Sequence, residues 1–184
     1  MVSRFCGAFG CAADNIKIRS TVVAEISAET AYDTTVQSVD LGGEEGWTPF
    51  DAPSLVGESL RFVSGEPEGN RFRARYYRDS EKHLHARIWF GPETEGPPGH
   101  AHGGAVAAVM DEALGLAAWA EGYPIVVGNL NVKFRTMLPL QKVVTVESRV
   151  VSVEGRKVMV HGRIFCGDAV YAEAECLCIT IPGR

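Results

Sequence analysis

Six segments after residue 70 carry the alternating apolar and polar side chains of β-strands, and one helical pattern interrupts them. The first two segments are residues 71–78 and 83–91, and the turn Asp-Ser-Glu-Lys between them predicts a β-hairpin. Four more segments follow the helical pattern, separated by turns that contain Gly, Pro or Asp: 124–135, 142–153, 156–166 and 169–181. Strands joined by such short turns are expected to pair antiparallel.

Residues 103–121 predict one long α-helix between the second and the third strand. Apolar side chains recur in it at every third or fourth position: Val106, Val109, Met110, Ala113, Leu114, Ala117 and Ala118. Its other positions are mostly small or apolar as well, which is typical of a helix surrounded by other structure. The chain order therefore predicts an α+β fold, in which an antiparallel β-sheet wraps around one long central α-helix.

The first 68 residues are predicted to be an N-terminal extension, partly irregular, and residues 69–184 to be the folded domain. The boundary is placed at the turn-rich stretch Ser64–Asn70. The first 24 residues carry three cations and one acid, which fits either a loosely packed leader or a mitochondrial transit peptide. We therefore expect a cytoplasmic protein, with a mitochondrial location as the alternative.

Charge and cysteine content narrow the functional classes. A net charge of −5 argues against a nucleic-acid partner, and no apolar run reaches the roughly 18 residues that a membrane span needs. The five cysteines show no metal-ligand spacing, so we expect no metal and no cofactor. Cys176 and Cys178 alternate on one strand and are expected to be reduced, buried and on the same face.

Asp111 lies in the middle of the apolar helix, and two interpretations of it stay open. It is either a surface acid beside Glu112, as most helix acids are, or a catalytic carboxylate. The residues one turn away from it are uncharged: Ala107, Ala108, Leu114 and Gly115. Desolvation by such neighbours would raise the pKa of Asp111, which suits a general base.

The triplet His102-Gly103-Gly104 lies at the predicted start of the helix. The first backbone N–H groups of a helix have no partner within it, and the positive end of the helix dipole suits a developing oxyanion. Glycines there let a ligand approach the backbone, or they only allow a tight turn from loop to helix. His102 is likewise either part of a site or a helix-capping histidine.

The spacing of Gly103 and Asp111 predicts that two chains contribute to one site if both residues are catalytic. Eight residues of α-helix span ~12 Å, so one carbonyl group cannot comfortably meet both groups of the same chain. An antiparallel pair of helices from two subunits would bring Gly103 of one chain near Asp111 of the other. If both residues are catalytic, the protein is expected to be a homodimer with two equivalent sites.

Three motifs, "EGPPGHAHGGAVAAVMDEALG", "NLNVKFRTMLPL" and "VEGRK", resemble the hotdog-fold acyl-CoA thioesterases. The similarity is greatest to thioesterase superfamily members four and five and their PaaI-like bacterial relatives. It implies the hotdog fold, hydrolysis of acyl-CoA to a free acid and CoA in lipid and fatty acid metabolism, and a homodimer that pairs further in some cases. It also implies that Asp111 is the catalytic carboxylate, that Gly103 polarises the thioester carbonyl and that His102 helps to orient it.

The resemblance further implies a substrate-binding set around the helix start and on the strands after it. This set is Gly104, Asn129, Lys133, Arg135, Arg156, Lys157, Val158, Met159, Val160 and His161. Cations in this set suit the phosphates of CoA, although charges at the edge of a sheet are ordinarily just solvated.

Val127 departs from the pattern of the family, whose members often carry Thr or Ser at this position to hold the attacking water. Asn129 could take that role, or the carboxylate of Asp111 could attack the thioester directly. A protein that binds acyl-CoA or an acyl carrier with little turnover is therefore the alternative function. A hotdog dehydratase fits less well, because its histidine base is not expected at a helix start.

Overall fold

The computed structural model describes residues 38–51 and 62–181. The predictions about the first 24 residues, with Cys6 and Cys11, lie outside the described residues.

The described residues form one long α-helix and seven strands. The helix α1 is Gly103–Ala120, and the strands are β1 Thr48–Pro49, β2 Phe72–Arg78, β3 Leu84–Phe90, β4 Ile125–Phe134, β5 Val143–Glu154, β6 Lys157–Cys166 and β7 Ala169–Thr180. The helix and the six strands β2 to β7 confirm the prediction to within one residue at each end. The short strand β1 was not predicted, because two residues are too few to show a period.

All seven strands belong to one antiparallel sheet, in the order β1-β2-β3-β5-β6-β7-β4. The predicted hairpin pairs Phe72 with Phe90, and the last three strands form a continuous meander. The helix packs against β3, β4, β5, β6 and β7. This is the predicted sheet around one helix.

The core lies between the helix and the inner face of the sheet. All seven helix positions of the predicted apolar period are buried, with exposures of 5% or less. The sheet contributes alternate residues, such as Val144 and Val146 from β5 and Val158 and Val160 from β6. Val158 and Val160 are fully buried with their side chains in the core, and their place in the predicted substrate-binding set stays a prediction.

One face of the helix stays open, and the expectation of a helix covered all round is therefore wrong for the single chain. Gly104 and Asp111 are exposed on it, and Ala107 and Ala108 are only half-buried. The sheet is one layer, and it covers only the side of the helix that it contacts. Beside the open face runs β4, the strand at the end of the sheet, whose Phe134 side chain is 58% exposed.

Residues 38–51 pack on the outer face of the sheet, away from the helix. The ring of Trp47 stacks on His85 with 4.2 Å between the centroids, and the hydroxyl of Tyr77 donates a hydrogen bond of 2.6 Å to the carbonyl oxygen of Leu41. Part of the N-terminal extension is thus attached to the hotdog-like sheet. The boundary near residue 68 stays a prediction.

We expect Gly162→Ala to lower the free energy of unfolding by about 1–3 kcal/mol, the typical cost of overpacking a core. A Cβ at Gly162 would lie 2.8 Å from Leu114 Cδ1 and 2.9 Å from the carbonyl oxygen of Glu147. Gly115→Ala is the control, because a Cβ there would meet only Ile125 and Val127, at 3.9 and 4.0 Å. Urea unfolding of both variants measures the difference, and a Gly162→Ala protein as stable as the wild type would contradict the packing described.

Candidate active site at the start of the helix

A tight loop places His102 at the start of α1. The N–H of His102 donates to the carbonyl oxygen of Thr94 at 2.7 Å, and the N–H of Ala101 donates to that of Leu138 at 2.8 Å. Gly96 lets the loop close on His102, since a Cβ at Gly96 would lie 2.7 Å from His102 Cα. Two segments therefore fix the backbone just before the helix.

His102 is the N-cap of the helix. Its backbone is extended, with φ −62° and ψ 139°, and its Nδ1 accepts a hydrogen bond of 2.9 Å from the N–H of Gly104. The capping interpretation is thus confirmed. A ring nitrogen that accepts an N–H carries no proton, so the neutral ring carries its proton on Nε2. The exposed imidazole therefore offers an Nε2–H donor beside the helix start.

The backbone N–H of Gly103 is the free donor of the first turn. The N–H of Gly104 binds the His102 ring, and those of Ala105 and Val106 donate to the carbonyl oxygen of His102 at 2.9 and 3.1 Å. Within residues 38–51 and 62–181, the Gly103 N–H has no acceptor. It lies at the positive end of the helix dipole, where a negatively charged oxygen is stabilised.

A cavity of about 280 Å³ opens beside Gly103. Its walls are mostly apolar and include Val106, Phe134, Met137 and Leu138. Gly103 thus lines a space that a carbon chain can occupy, and an oxygen bound in it would be partly shielded from water.

Asp111 follows two turns later on the open face of the helix. Its carboxylate makes no hydrogen bond or ion pair with any residue of the described part of the chain. Partial burial, and after it the negative charge of Glu112, raise the pKa of Asp111 above its ordinary value. An unpaired carboxylate with a raised pKa can accept a proton from water near neutral pH.

Glu112 differs from its neighbour, because its carboxylate is fully engaged. It accepts hydrogen bonds from the N–H groups of Val63 and Ser64, at 3.0 and 3.2 Å, and from the hydroxyl of Tyr76 at 3.1 Å. The structure thus separates the two adjacent acids into an anchored one and a free one. Asp111 is the free one, as its catalytic interpretation requires.

The predicted thiol pair lies near Asp111. Cys176 and Cys178 are free and completely buried, as expected, and their sulfur atoms are 3.2 Å apart. The hydrogen bond with Cys178, burial and the charge of Asp111 raise the pKa of Cys176, so this thiol stays protonated. The same hydrogen bond lowers the pKa of Cys178, against burial and the charge of Asp111, which both raise it.

Val127 lies on the inner side of β4, where it pairs with Cys178 and packs near Gly115. A bulge follows, so the next paired residue, Asn129, stands opposite Leu177. Since Cys178 faces the helix, Leu177 and Asn129 face outward. Within one chain, the side chain of Asn129 thus lies on the opposite face of β4 from that of Val127, and its suggested role in holding the water stays a prediction.

The remaining predicted substrate-binding residues lie on the outer face or at the β5–β6 turn. Lys133 and His161 line an outer groove of about 480 Å³. Arg135 donates from Nε to Glu173 at 2.6 Å, and the guanidinium of Arg156 donates to the carbonyl oxygen of Thr180. Lys133 and Lys157 are exposed and have no such partner within the described residues.

The motifs did not identify three residues of this region. Glu112 was treated only as a neighbour of Asp111, and Arg149 and Arg163 of the outer groove were not considered. The two-residue period of β6 places Arg163 on the same face as His161, which was predicted. The sequence therefore contained a signal for Arg163. The contact between Glu112 and Val63 left no local signal, because the two residues are far apart in the chain.

No helix of residues 38–51 and 62–181 is both long and apolar enough to cross a bilayer. Within the same ranges, no group of three or more His, Cys, Asp or Glu side chains is arranged to hold a metal ion.

Residues 98–176 match the family model of the Thioesterase superfamily. The acyl-coenzyme A thioesterase THEM4 of Rattus norvegicus is 32% identical over 101 residues, which cover 54% of this chain and 44% of the rat protein. THEM5 of Mus musculus is 35% identical over 72 residues, or 39% of this chain and 29% of the mouse protein. The chain thus spans less than half of the length of either relative.

Solved structures show the same fold. A crystal structure of a thioesterase superfamily protein superposes with a TM-score of 0.56 at 28% identity, covering 58% of this chain and 56% of that one. A hypothetical thioesterase from Streptococcus pneumoniae, solved with coenzyme A, gives 0.57 at 16% identity, covering 61% and 88%. The resemblance predicted from the motifs is therefore confirmed: the chain has the hotdog fold, and its residues 98–176 match the thioesterase superfamily.

Proposed function

We propose that this protein is an acyl-CoA thioesterase, which hydrolyses an acyl-CoA to a free carboxylic acid and CoA in lipid metabolism. The observation that supports this function is one helix whose Gly103 N–H has no acceptor and whose Asp111 carboxylate has no partner within the described residues. The first stabilises negative charge on an oxygen, and the second accepts a proton from water. Attack of water on a thioester needs both groups.

The proposed active unit is a homodimer with two shared sites. Gly103 and Asp111 lie ~12 Å apart along one helix, which is too far for one carbonyl group. Among the described residues, β4 pairs only with β7, so its other edge is unpaired, and the exposed side chain of Phe134 lies beside the open helix face. Association of two chains along this region would cover the apolar surface and bring Gly103 of one subunit near Asp111 of the other. A dimer of dimers is the larger assembly that we consider.

In the proposed reaction, the thioester carbonyl accepts hydrogen bonds from the Gly103 N–H and the His102 Nε2–H. Asp111 of the second subunit takes a proton from water while the water oxygen bonds to the carbonyl carbon. The oxyanion then reforms the carbonyl and breaks the carbon–sulfur bond. The proton on Asp111 returns to the CoA thiolate, which leaves as the thiol.

Val127 affects the attack of water on the thioester, because the valine side chain offers no hydrogen bond that would hold the water. Direct attack by the Asp111 carboxylate avoids that need and remains within the proposal, since both routes require Asp111. The second candidate function, binding of acyl-CoA or acyl carrier without turnover, is favoured by the same valine. A dehydratase is disfavoured, because His102 uses Nδ1 to cap the helix.

The CoA portion is proposed to lie on the outer face of the sheet. Lys133 and Lys157 are exposed there and have no acidic partner within the described residues, whereas Arg135 is paired with Glu173. An ammonium without a partner is available to a phosphate oxygen. We expect the protein to act in the cytoplasm, with mitochondria as the alternative.

Asp111→Asn is expected to lower kcat at least ~10²-fold, the usual minimum for the loss of a catalytic acid–base group. The change keeps the shape of the side chain and removes its basicity. Release of the CoA thiol, followed with a thiol reagent over acyl-CoAs of several chain lengths, measures the effect. Circular dichroism controls for folding. Near-wild-type turnover by the variant would refute the role of Asp111, and a wild-type protein that binds these esters without hydrolysis would favour the second candidate.

Complementation tests the shared site. Gly103→Pro removes the one free N–H, and the extended backbone of His102 is what a residue before proline requires. Gly103→Pro and Asp111→Asn homodimers should each be inactive. Refolding them together should restore up to about a quarter of wild-type activity, because one site of each heterodimer carries neither defect.

The control for that experiment is Gly103→Ala, which keeps the N–H. Its Cβ would lie 3.5 Å from Phe134 Cζ, an ordinary contact, and activity should be retained. A mixture that demonstrably exchanges subunits and stays inactive would exclude a site shared between two chains.

Replacing Lys133 and Lys157 together with alanine is expected to raise KM for acyl-CoA more than it lowers kcat, since binding shared by ground and transition states is lost. The effect should shrink at high salt and be absent for a short thioester without the nucleotide. Lys82→Ala, on the β2–β3 turn, is the control for loss of a lysine. Equal losses on both substrates would rule out phosphate contact, and the single variants show which lysine matters.

A further inference from the structure

The anchoring of Glu112 joins the helix to a segment that lies far away in the chain. Its two oxygens accept the N–H groups of Val63 and Ser64 and the hydroxyl of Tyr76 within 3.0–3.2 Å. Val63 is only 2% exposed and belongs to the core. The Glu112 carboxylate is therefore held in one place, directly beside Asp111 in the chain.

A fixed negative charge next to Asp111 in the chain affects the pKa of Asp111. The negative charge of Glu112 disfavours ionisation of Asp111 and, after burial, is the cause that raises its pKa. The other titratable groups of the described residues that interact with Asp111 are Cys176 and Cys178 on β7. Tyr76 on β2 faces Glu112. Among these neighbours in the described residues, Glu112 is the one carboxylate, and its charge acts on Asp111.

The same anchoring also places Phe62 near the helix start. Phe62 precedes Val63 directly, and its ring lies 6.2 Å from that of Phe72. The two rings line a cavity of about 240 Å³ that also touches His102 and Gly104. Glu112 holds Val63 and Ser64. Phe62, the residue directly before them, therefore forms part of the wall of the cavity beside the exposed His102 ring.

We propose that Glu112 is a positioning residue for the hydrolysis, whose anchored carboxylate holds a negative charge beside Asp111 and fixes the Phe62 wall of the cavity beside His102. The inference rests on the proposed function, in which Asp111 acts as the base. Glu112 itself contacts no reacting atom. Its anchoring by two backbone N–H groups and one hydroxyl keeps its charge in one place beside the base, Asp111.

The test compares the pH dependence of kcat/KM for the wild type, Glu112→Gln and Tyr76→Phe. A base must be ionised to act, so activity falls on the acid side as Asp111 takes up its proton. Glutamine removes the charge and keeps the shape of the side chain. The acid limb of the pH profile, where kcat/KM falls as the pH is lowered, is therefore expected to move to lower pH in Glu112→Gln. Tyr76→Phe removes one of the three hydrogen bonds and keeps the charge, so its acid limb should stay in place.

KM supplies the second measurement. Both variants loosen the contact with residues 62–64 and are expected to raise KM for acyl-CoA. Lower stability alone would reduce the activity of both variants without moving the acid limb of either pH profile. Thermal unfolding of both variants is therefore measured as a control. Equal acid limbs for Glu112→Gln and wild type would overturn the electrostatic role, and unchanged KM values in both variants would overturn the role in placing the wall.

The outcomes also separate this inference from the proposed function. Hydrolysis that is lost in Asp111→Asn and shows an unshifted limb in Glu112→Gln rejects the inference and leaves the function intact. Absence of hydrolysis in the wild type rejects both. If Glu112→Gln fails to fold, Glu112→Asp replaces it. Aspartate keeps the charge on a shorter side chain, so its limb should match that of the wild type while KM rises.

Discussion

A single layer of β-sheet can cover only one side of a helix, and most features of this protein depend on that constraint. The buried stripe of α1, with Val109, Met110 and Leu114, packs fully against the sheet. The opposite stripe keeps small residues and Asp111, which a closed core would have forced to pair or to lose its charge. The open face is thus where a carboxylate without a partner is tolerated, and it is where a second chain is proposed to complete the site.

At the start of α1, hydrogen bonds to His102 occupy the backbone N–H donors of the first turn except one, within the described residues. A helix leaves its first N–H groups without internal partners, and here His102 accepts three of them through its ring and its carbonyl oxygen. The remaining one belongs to Gly103, which lines a mostly apolar cavity. Capping the helix also fixes the histidine as the Nε2–H tautomer. The structural role of His102 and its proposed contact with a carbonyl are therefore consequences of the same hydrogen bond.

Adjacent residues of this helix have opposite roles because they point in different directions. Glu112 turns toward β2 and the segment that contains Val63, where donors are available. Asp111, rotated by about 100° on the helix, turns to the open side and makes no such bond. On the other side of the sheet, residues 38–51 cover β2 and β3, and the charged groove remains over β4 to β7. The chain thus keeps its apolar core, its unpaired acid and its outer charges in three separate regions.

The sequence by itself determined the elements and the candidate groups, because their signals are local. Periods of two and of 3.6 residues are set by backbone geometry, so the helix and six strands were predicted to within one residue, and His102, Gly103 and Asp111 stood out against an apolar helix. Only the tertiary structure decided which face of α1 is open, that Glu112 is anchored to Val63, and that Trp47 stacks on His85, since these contacts join residues distant in the chain. The bulge at Gly128 shows the reason most clearly. One extra residue reverses the alternation of β4, so that Asn129 faces outward although it lies two positions after an inward-facing valine, and the position of a bulge is set by pairing with β7 rather than by the strand's own pattern.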